Sequence, residues 1–283
     1  MILATQYTPI QILKPLWPLA LLGYAVAVVL TPVLRWIAYR AGVVDRPDDL
    51  LKPHARPIAY LGGLGVCAGF IPPVVIGAIW YPHLWPLATC IILATLITTL
   101  TGLLDDLHNL RPKYKVLGQV IAAAALYAGL CTVNVHREAA NMLLLPFNEL
   151  LGRSWVMPVW LAVPISALVT VVILVAASNA TNLIDGLDGL CGGVTGIISL
   201  GFLALTTYLA CYGRYHGGLD EFRVILCLAM AGAVFGFLPY NAPPASIFLG
   251  DAGSMLLGFF VATMLMLFSR EGTLRWFLAA GVI

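Results

Sequence analysis

The chain has 283 residues, 61% of them hydrophobic and only 10% charged, with a formal net charge of +2. A soluble globular domain carries about 25% charged residues, so a water-soluble enzyme is excluded, and a charge this near neutral points to no nucleic-acid partner. Mean hydropathy of +0.95 and recurring apolar stretches of about twenty residues specify an all-α, multi-pass transmembrane helix bundle. The runs are too long and too uniform for the alternating strands of a barrel.

In chain order, spans are expected at about 16–39, 60–80, 85–104, 116–133, 156–178, 190–212, 222–240 and 253–269, with a ninth starting near 274. Residues 1–283 read as a single integral membrane domain. The first run lacks a basic lead-in and a small-residue cleavage site, so it reads as a retained span. The stretch from Asn134 to Met157 mixes apolar and polar residues and suits a small hairpin or an interfacial helix. The six cysteines lie in or beside apolar runs without a CxxC pair and read as small buried hydrophobes. Gly65/Gly69, Gly192/Gly196 and Gly232/Gly236 have the spacing of ordinary helix-packing contacts.

The polar loops 45–60, 105–115, 179–189 and 241–254 follow the first, third, fifth and seventh spans, so all four emerge on one face. Charge is nearly balanced across the two faces. The early loops weigh most, however, and with Arg40, Arg46, Lys52, Arg56, Arg111, Lys113 and Lys115 they make the motif face cytoplasmic.

Each of these loops carries residues suited to chemistry. Asp105 and Asp106 are adjacent carboxylates at a span end, either a solvated cap or a site in which one faces a ligand while a partner holds the other. Lys115 and Gln119 lie one helical turn apart; the lysine could snorkel or bind an anion. Asn179, Asn182, Asp185 and Asp188 recur every three residues, a polar stripe that must face protein or water. With the glycines around them they suit a nucleotide better than calcium, whose loop spacing is missing. Asp251 sits between Gly250 and Gly253, as a helix cap or a carboxylate holding Mg²⁺ for a phosphate, and Phe248 is a core aromatic or a flat surface for a base. Lys52, His54 and Arg56 are topology signals or contacts for an anionic headgroup.

Taken in order, "DRPDDLLKPHARPIAYLGG", "GLLDDLHNLRPKYKVLGQ", "NATNLIDGLDGLCGG" and "FLGDAGSMLLG" resemble the polyprenyl-phosphate N-acetylhexosamine-1-phosphate transferase family, the MraY/WecA/TagO group. The resemblance runs over about residues 45–258. It implies a bundle of ten or eleven helices with a cytoplasmic cleft, in a bacterial inner membrane. The implied reaction is attack of a polyprenyl phosphate on a UDP-sugar, with Mg²⁺ (or Mn²⁺ in its place), giving polyprenyl-diphosphate-sugar and UMP as the first lipid-linked step of an envelope polysaccharide. It places Asp251 and Asn182 around the metal, Asp105 and Asp106 at the lipid phosphate, and Lys115 and Lys52 on phosphate oxygens. Gly186, Leu187, Asp188 and Phe248 map to the uracil pocket.

The motif before the histidine departs from the family's basic pair, reading Leu51-Lys52-Pro53-His54. The family's C-terminal helices and His-containing loop are expected beyond the ninth span. "RPIAYLGG" is closer to the WecA/TagO kind than to "PTMGG", which favours UDP-GlcNAc as donor. A homodimer is also compatible. The alternatives are the phospho-MurNAc-pentapeptide reaction and, from another class, an ion-coupled transporter, which would carry its acids in mid-span.

Overall fold

The computed structural model describes residues 8–47, 56–152, 155–212 and 219–269. Thr8 starts the first helix, α1 (Pro9–Ala41), with a capping box. Its hydroxyl accepts the Gln11 N–H at 3.4 Å, and the Gln11 side chain accepts the Thr8 N–H at 2.8 Å. Gly42, at φ 72°, ends α1 in the left-handed region. A two-residue antiparallel ribbon follows, β1 (Val44–Asp45) on β2 (Ile58–Ala59), with Asp45 opposite Ile58.

Then come α2 (Gly62–Trp80), α3 (Trp85–His108), α4 (Pro112–Thr132), α5 (Glu138–Leu151), α6 (Val159–Ile184), α7 (Leu190–Tyr212), α8 (Leu219–Asn241) and α9 (Gly250–Phe268). Among the described residues, eight of these helices are long and apolar enough to cross a membrane, all except α5. They match the first eight expected spans. The ninth lies outside the described residues, as do Lys52 and His54. The 134–157 stretch forms the helix α5 rather than a hairpin.

Several spans run further than hydropathy alone marks them, and two of these carry motif residues on their extended C-terminal ends. Helix α3 continues to His108, so Asp105 and Asp106 stand on its last turn, and Asn109 closes it at φ 52°. Helix α6 continues to Ile184, so Asn179 and Asn182 are helical rather than in a loop. Polar residues at a helix end leave the apolar pattern without ending the backbone hydrogen bonds.

Helix α9 is almost wholly buried and is packed by α2, α3 and α6. Side chains from other helices hold both its ends. Asp106 of α3 accepts the N–H groups of Asp251 and Ala252 at 2.8 and 3.0 Å. At the far end Arg223 of α8, itself buried and bonded to Asp220 at 2.9 Å, donates to the Leu267 carbonyl at 2.5 Å. Both contacts satisfy terminal backbone groups that no helix can pair internally, with the charge sign its dipole favours.

The helices around α9 approach closely because glycines face it. A Cβ on Gly102 would lie 2.3 Å from the Asp251 carbonyl oxygen. We predict that Gly102→Ala destabilises the protein by about 1–3 kcal/mol through overpacking. Gly186→Ala, where a Cβ meets nothing within 4 Å, leaves stability unchanged. Unfolding in detergent of the two variants beside the wild type checks the contrast.

Candidate active site

The ends of α3, α6 and α8 and the starts of α4 and α9 meet at one end of the bundle, as span parity requires. Adjacent residues on the last turn of α3 diverge. Asp106 turns inward to cap α9, and Gly250, at φ 71°, makes room for it: a Cβ there would lie 2.8 Å from both an Asp106 oxygen and the Tyr60 carbonyl. Asp105 turns toward α4, accepting the Leu110 N–H at 2.8 Å with one oxygen and the Lys115 ammonium at 2.7 Å with the other.

Lys115 also reaches Asp251, so one ammonium joins carboxylates from α3 and α9. The second Asp251 oxygen accepts from the Asn182 amide at 2.6 Å, and that amide also donates to Ser254 at 2.9 Å. Behind this group Asn179 donates to the buried Gln119 at 3.2 Å, tying α6 to α4. Thus Asp105, Asp106, Lys115, Asn182 and Asp251 form one connected cluster, and the Gln119–Asn179 pair lies about one helical turn from it along α4 and α6. Asp251 does not cap its own helix; that role falls to Asp106.

Beside the cluster lies a cleft of about 540 Å³. It is lined by Asn182, Phe248 and Asp251 and, on the side that follows α6, by Asp185, Gly186, Leu187 and Asp188. Asp188 anchors this side to the 241–249 segment by accepting the Ala245 N–H at 2.9 Å. Asn241 does the same from the other direction, accepting the Gly189 N–H and donating to the Ile247 carbonyl, each at 3.1 Å. Arg56 is exposed and is not among the residues lining the cleft.

Four contributors have no role in the motif reading: Asp45, Tyr60, Asn241 and Ser254. Each lies inside or within a few residues of a quoted motif. Nothing local separates them from turn residues, because their partners are distant in sequence.

Among the described residues no group of three His, Cys, Asp or Glu side chains is gathered as a metal cage. What converges instead is a pair of carboxylates, Asp105 and Asp251, on one cationic group, with a carboxamide alongside. Hard oxygen donors few in number fit Mg²⁺, which retains waters and takes one or two carboxylates together with substrate phosphates.

The model of glycosyl transferase family 4 matches residues 88–269. The chain belongs to that family. The match covers the cluster from Asp105 to Asp251 and all of the cleft lining except Asp45, Ile58 and Tyr60. Among curated relatives, the chain is 30% identical over 241 residues to the probable undecaprenyl-phosphate N-acetylglucosaminyl 1-phosphate transferase of Bacillus subtilis (strain 168), covering 84% of this chain and 59% of the relative. It is 34% identical over 250 residues to the phospho-N-acetylmuramoyl-pentapeptide-transferase of Rippkaea orientalis, covering 84% and 60%. It is 32% identical over 263 residues to the decaprenyl-phosphate N-acetylglucosaminephosphotransferase of Mycobacterium tuberculosis, covering 88% and 60%. The chain therefore spans about three fifths of the length of these relatives.

Just past the end of α6, the Asp185 carboxyl is pushed up to about 8, first by burial and then by the carboxylates of Asp251, Asp106 and Asp188. An unfolded Asp ionises near about 3.9. Between about pH 4 and about 8 the folded chain keeps a proton that the unfolded chain releases. This group therefore favours folding fully at low pH and progressively less as pH rises toward about 8. Thermal unfolding of Asp185→Asn should show a shallower fall in stability across that window than the wild type; equal slopes contradict the assignment. Asp106→Ala leaves two N–H groups of α9 unpaired and is expected to cost about 1–3 kcal/mol, measured in the same assay.

Proposed function

We propose that the protein transfers N-acetylhexosamine-1-phosphate, preferentially GlcNAc-1-phosphate, from a UDP-sugar to polyprenyl phosphate, releasing UMP and leaving a polyprenyl-diphosphate-sugar. The observation that carries this reading is the junction of Lys115 with Asp105 and Asp251, the last of which also lines the Phe248 cleft. Family membership supports it, as do the names of the Bacillus subtilis and Mycobacterium tuberculosis relatives. The Rippkaea orientalis relative is a phospho-N-acetylmuramoyl-pentapeptide-transferase, which makes the muramoyl-pentapeptide donor the competing substrate to test. A transporter reading loses ground because the acids gather at helix ends rather than in mid-span.

The chemistry joins two anions. A phosphate monoester has its second pKa near about 6, so the acceptor is already a nucleophile at neutral pH. The larger demand is charge neutralisation as the bond to the donor forms and the bond to UMP breaks. Mg²⁺, when bound by Asp251 and Asn182 with Asp105 close by, would neutralise the donor's diphosphate. Lys115 supplies the second positive charge and orients an incoming phosphate oxygen. Asp105 keeps Lys115 aimed and keeps the turn at Leu110 closed. Asp106, with both oxygens on backbone N–H groups, acts by fixing the first turn of α9 and so the place of Asp251. The uracil rests between Phe248 and the Gly186–Asp188 turn. The motif face, rich in early basic residues, lies toward the cytoplasm of the bacterial inner membrane.

The test is UMP release by the full-length protein from UDP-GlcNAc, undecaprenyl phosphate and Mg²⁺. Asp251→Ala is expected to lower turnover by about 10²–10³-fold or more. Asp105→Asn should slow transfer while UDP-GlcNAc binding holds. Loss of binding and transfer to the same extent in Asp105→Asn contradicts the separation of roles, and no UMP from the wild type contradicts the reaction.

A further inference from the structure

The cleft wall opposite the Gly186–Asp188 turn is more than Phe248. The β1–β2 ribbon and the first residue of α2 bind the Phe248 backbone from both sides. The Phe248 N–H donates to the Ala59 carbonyl at 2.8 Å, and the Gly62 N–H donates to the Phe248 carbonyl at 3.0 Å. These bonds place the backbone of Phe248, and the orientation of its ring about χ1 and χ2 is set by what packs against it.

Tyr60, between those two anchor points, meets the ring. Its own ring lies 5.8 Å from that of Phe248, centroid to centroid, tilted by 56°, within the range where aromatic pairs attract. The Tyr60 hydroxyl is hydrogen-bonded to the Asp45 carboxylate, and burial followed by Asp45 pushes that hydroxyl's pKa up. Asp45 itself is 8% exposed. An acid buried this far on a two-residue strand is costly unless it is bonded, and the strand register sets it opposite Ile58, two residues before Tyr60. All of Asp45, Ile58, Tyr60 and Phe248 line the same cleft. The order of support is thus Asp45 to Tyr60 to Phe248, from a ribbon whose residues the motif reading treated as a basic loop.

We propose that Tyr60, held by Asp45, is a positioning residue that sets the Phe248 ring for the donor's base, and so tunes donor recognition. This rests on the nucleotide reading of the cleft. Tyr60 acts through Phe248, so its loss falls on the donor side of the reaction and spares the lipid phosphate side.

The experiment uses the full-length protein in nanodiscs, with UMP affinity by calorimetry and KM for UDP-GlcNAc and for undecaprenyl phosphate measured separately. Tyr60→Leu removes the ring, and UMP affinity is expected to fall about five- to tenfold, the reach of an aromatic pair. KM for the donor should rise in step, with KM for the lipid phosphate within twofold of wild type. Tyr60→Phe keeps the ring and loses only its tether, so its loss should be smaller than that of Tyr60→Leu. Asp45→Ala combined with Tyr60→Phe should be no worse than Tyr60→Phe alone, because the two residues act as a unit. If Tyr60→Leu folds poorly, the Tyr60→Phe and Asp45→Ala cycle carries the same test. UMP affinity unchanged in Tyr60→Leu, equal increases in both KM values, or fully multiplicative losses in the cycle overturn the inference. Wild-type protein that binds no UMP overturns the nucleotide reading, and this inference with it.

Discussion

The backbone of α9 begins inside the protein, and its first N–H groups have no water to turn to. Asp106 answers that constraint from a helix 145 residues away in sequence. The cap does more than satisfy two donors. It fixes the first turn of the most buried helix, which carries Asp251 one residue after Gly250. Arg223 holds the other end at Leu267, so α9 is clamped along its axis between an anion at its positive end and a cation at its negative end. The Lys115 and Asn182 contacts to Asp251 depend on a helix anchored this way. Asp105, on the next residue of the same turn, is free to face Lys115 because Asp106 is occupied elsewhere.

The acid excess at this end of the bundle sets the character of the site. Asp105, Asp106, Asp185, Asp188 and Asp251 gather about a single lysine, Lys115, among the described residues that form the cluster and the Gly186–Asp188 side of the cleft. The substrates proposed for it are anions. An acid-rich pocket receives anions only through intervening positive charge, and the oxygen donors on Asp251, Asp105 and Asn182 have the hardness that Mg²⁺ requires. Asp185 holds its proton to about pH 8, first because it is buried and then because Asp251, Asp106 and Asp188 lie near it. The proposed Mg²⁺ would draw on carboxylates that also tie the helices together, since Asp105 and Asp251 are joined through Lys115.

Much of this was legible in the chain itself. Spans were plain because lipid demands unbroken apolar helices, and parity alone put four polar segments on one face. The three-residue spacing of Asn179, Asn182, Asp185 and Asp188 announced a polar stripe, and α6 does carry its first half. Adjacent Asp105 and Asp106 could be expected to diverge. Which one would be held by a partner could not be read, since that depends on where α9 begins in space. The ribbon was illegible for a similar reason: two residues pairing with two across an intervening loop leave no periodicity, so Asp45 and Tyr60 looked like parts of a basic connector. Asn241, bonded to both Gly189 and Ile247, likewise shows its purpose only once α7 and α8 are side by side.

The most direct test of the account is a structure of the full-length protein with UMP and Mg²⁺ bound. It should show the pyrimidine between Phe248 and the Gly186–Asp188 turn, with the phosphate directed toward Asp251 and Lys115. Nucleotide bound away from this cleft, or with its phosphate turned from the Asp105–Lys115–Asp251 junction, would contradict the claim that these helix ends form one active site.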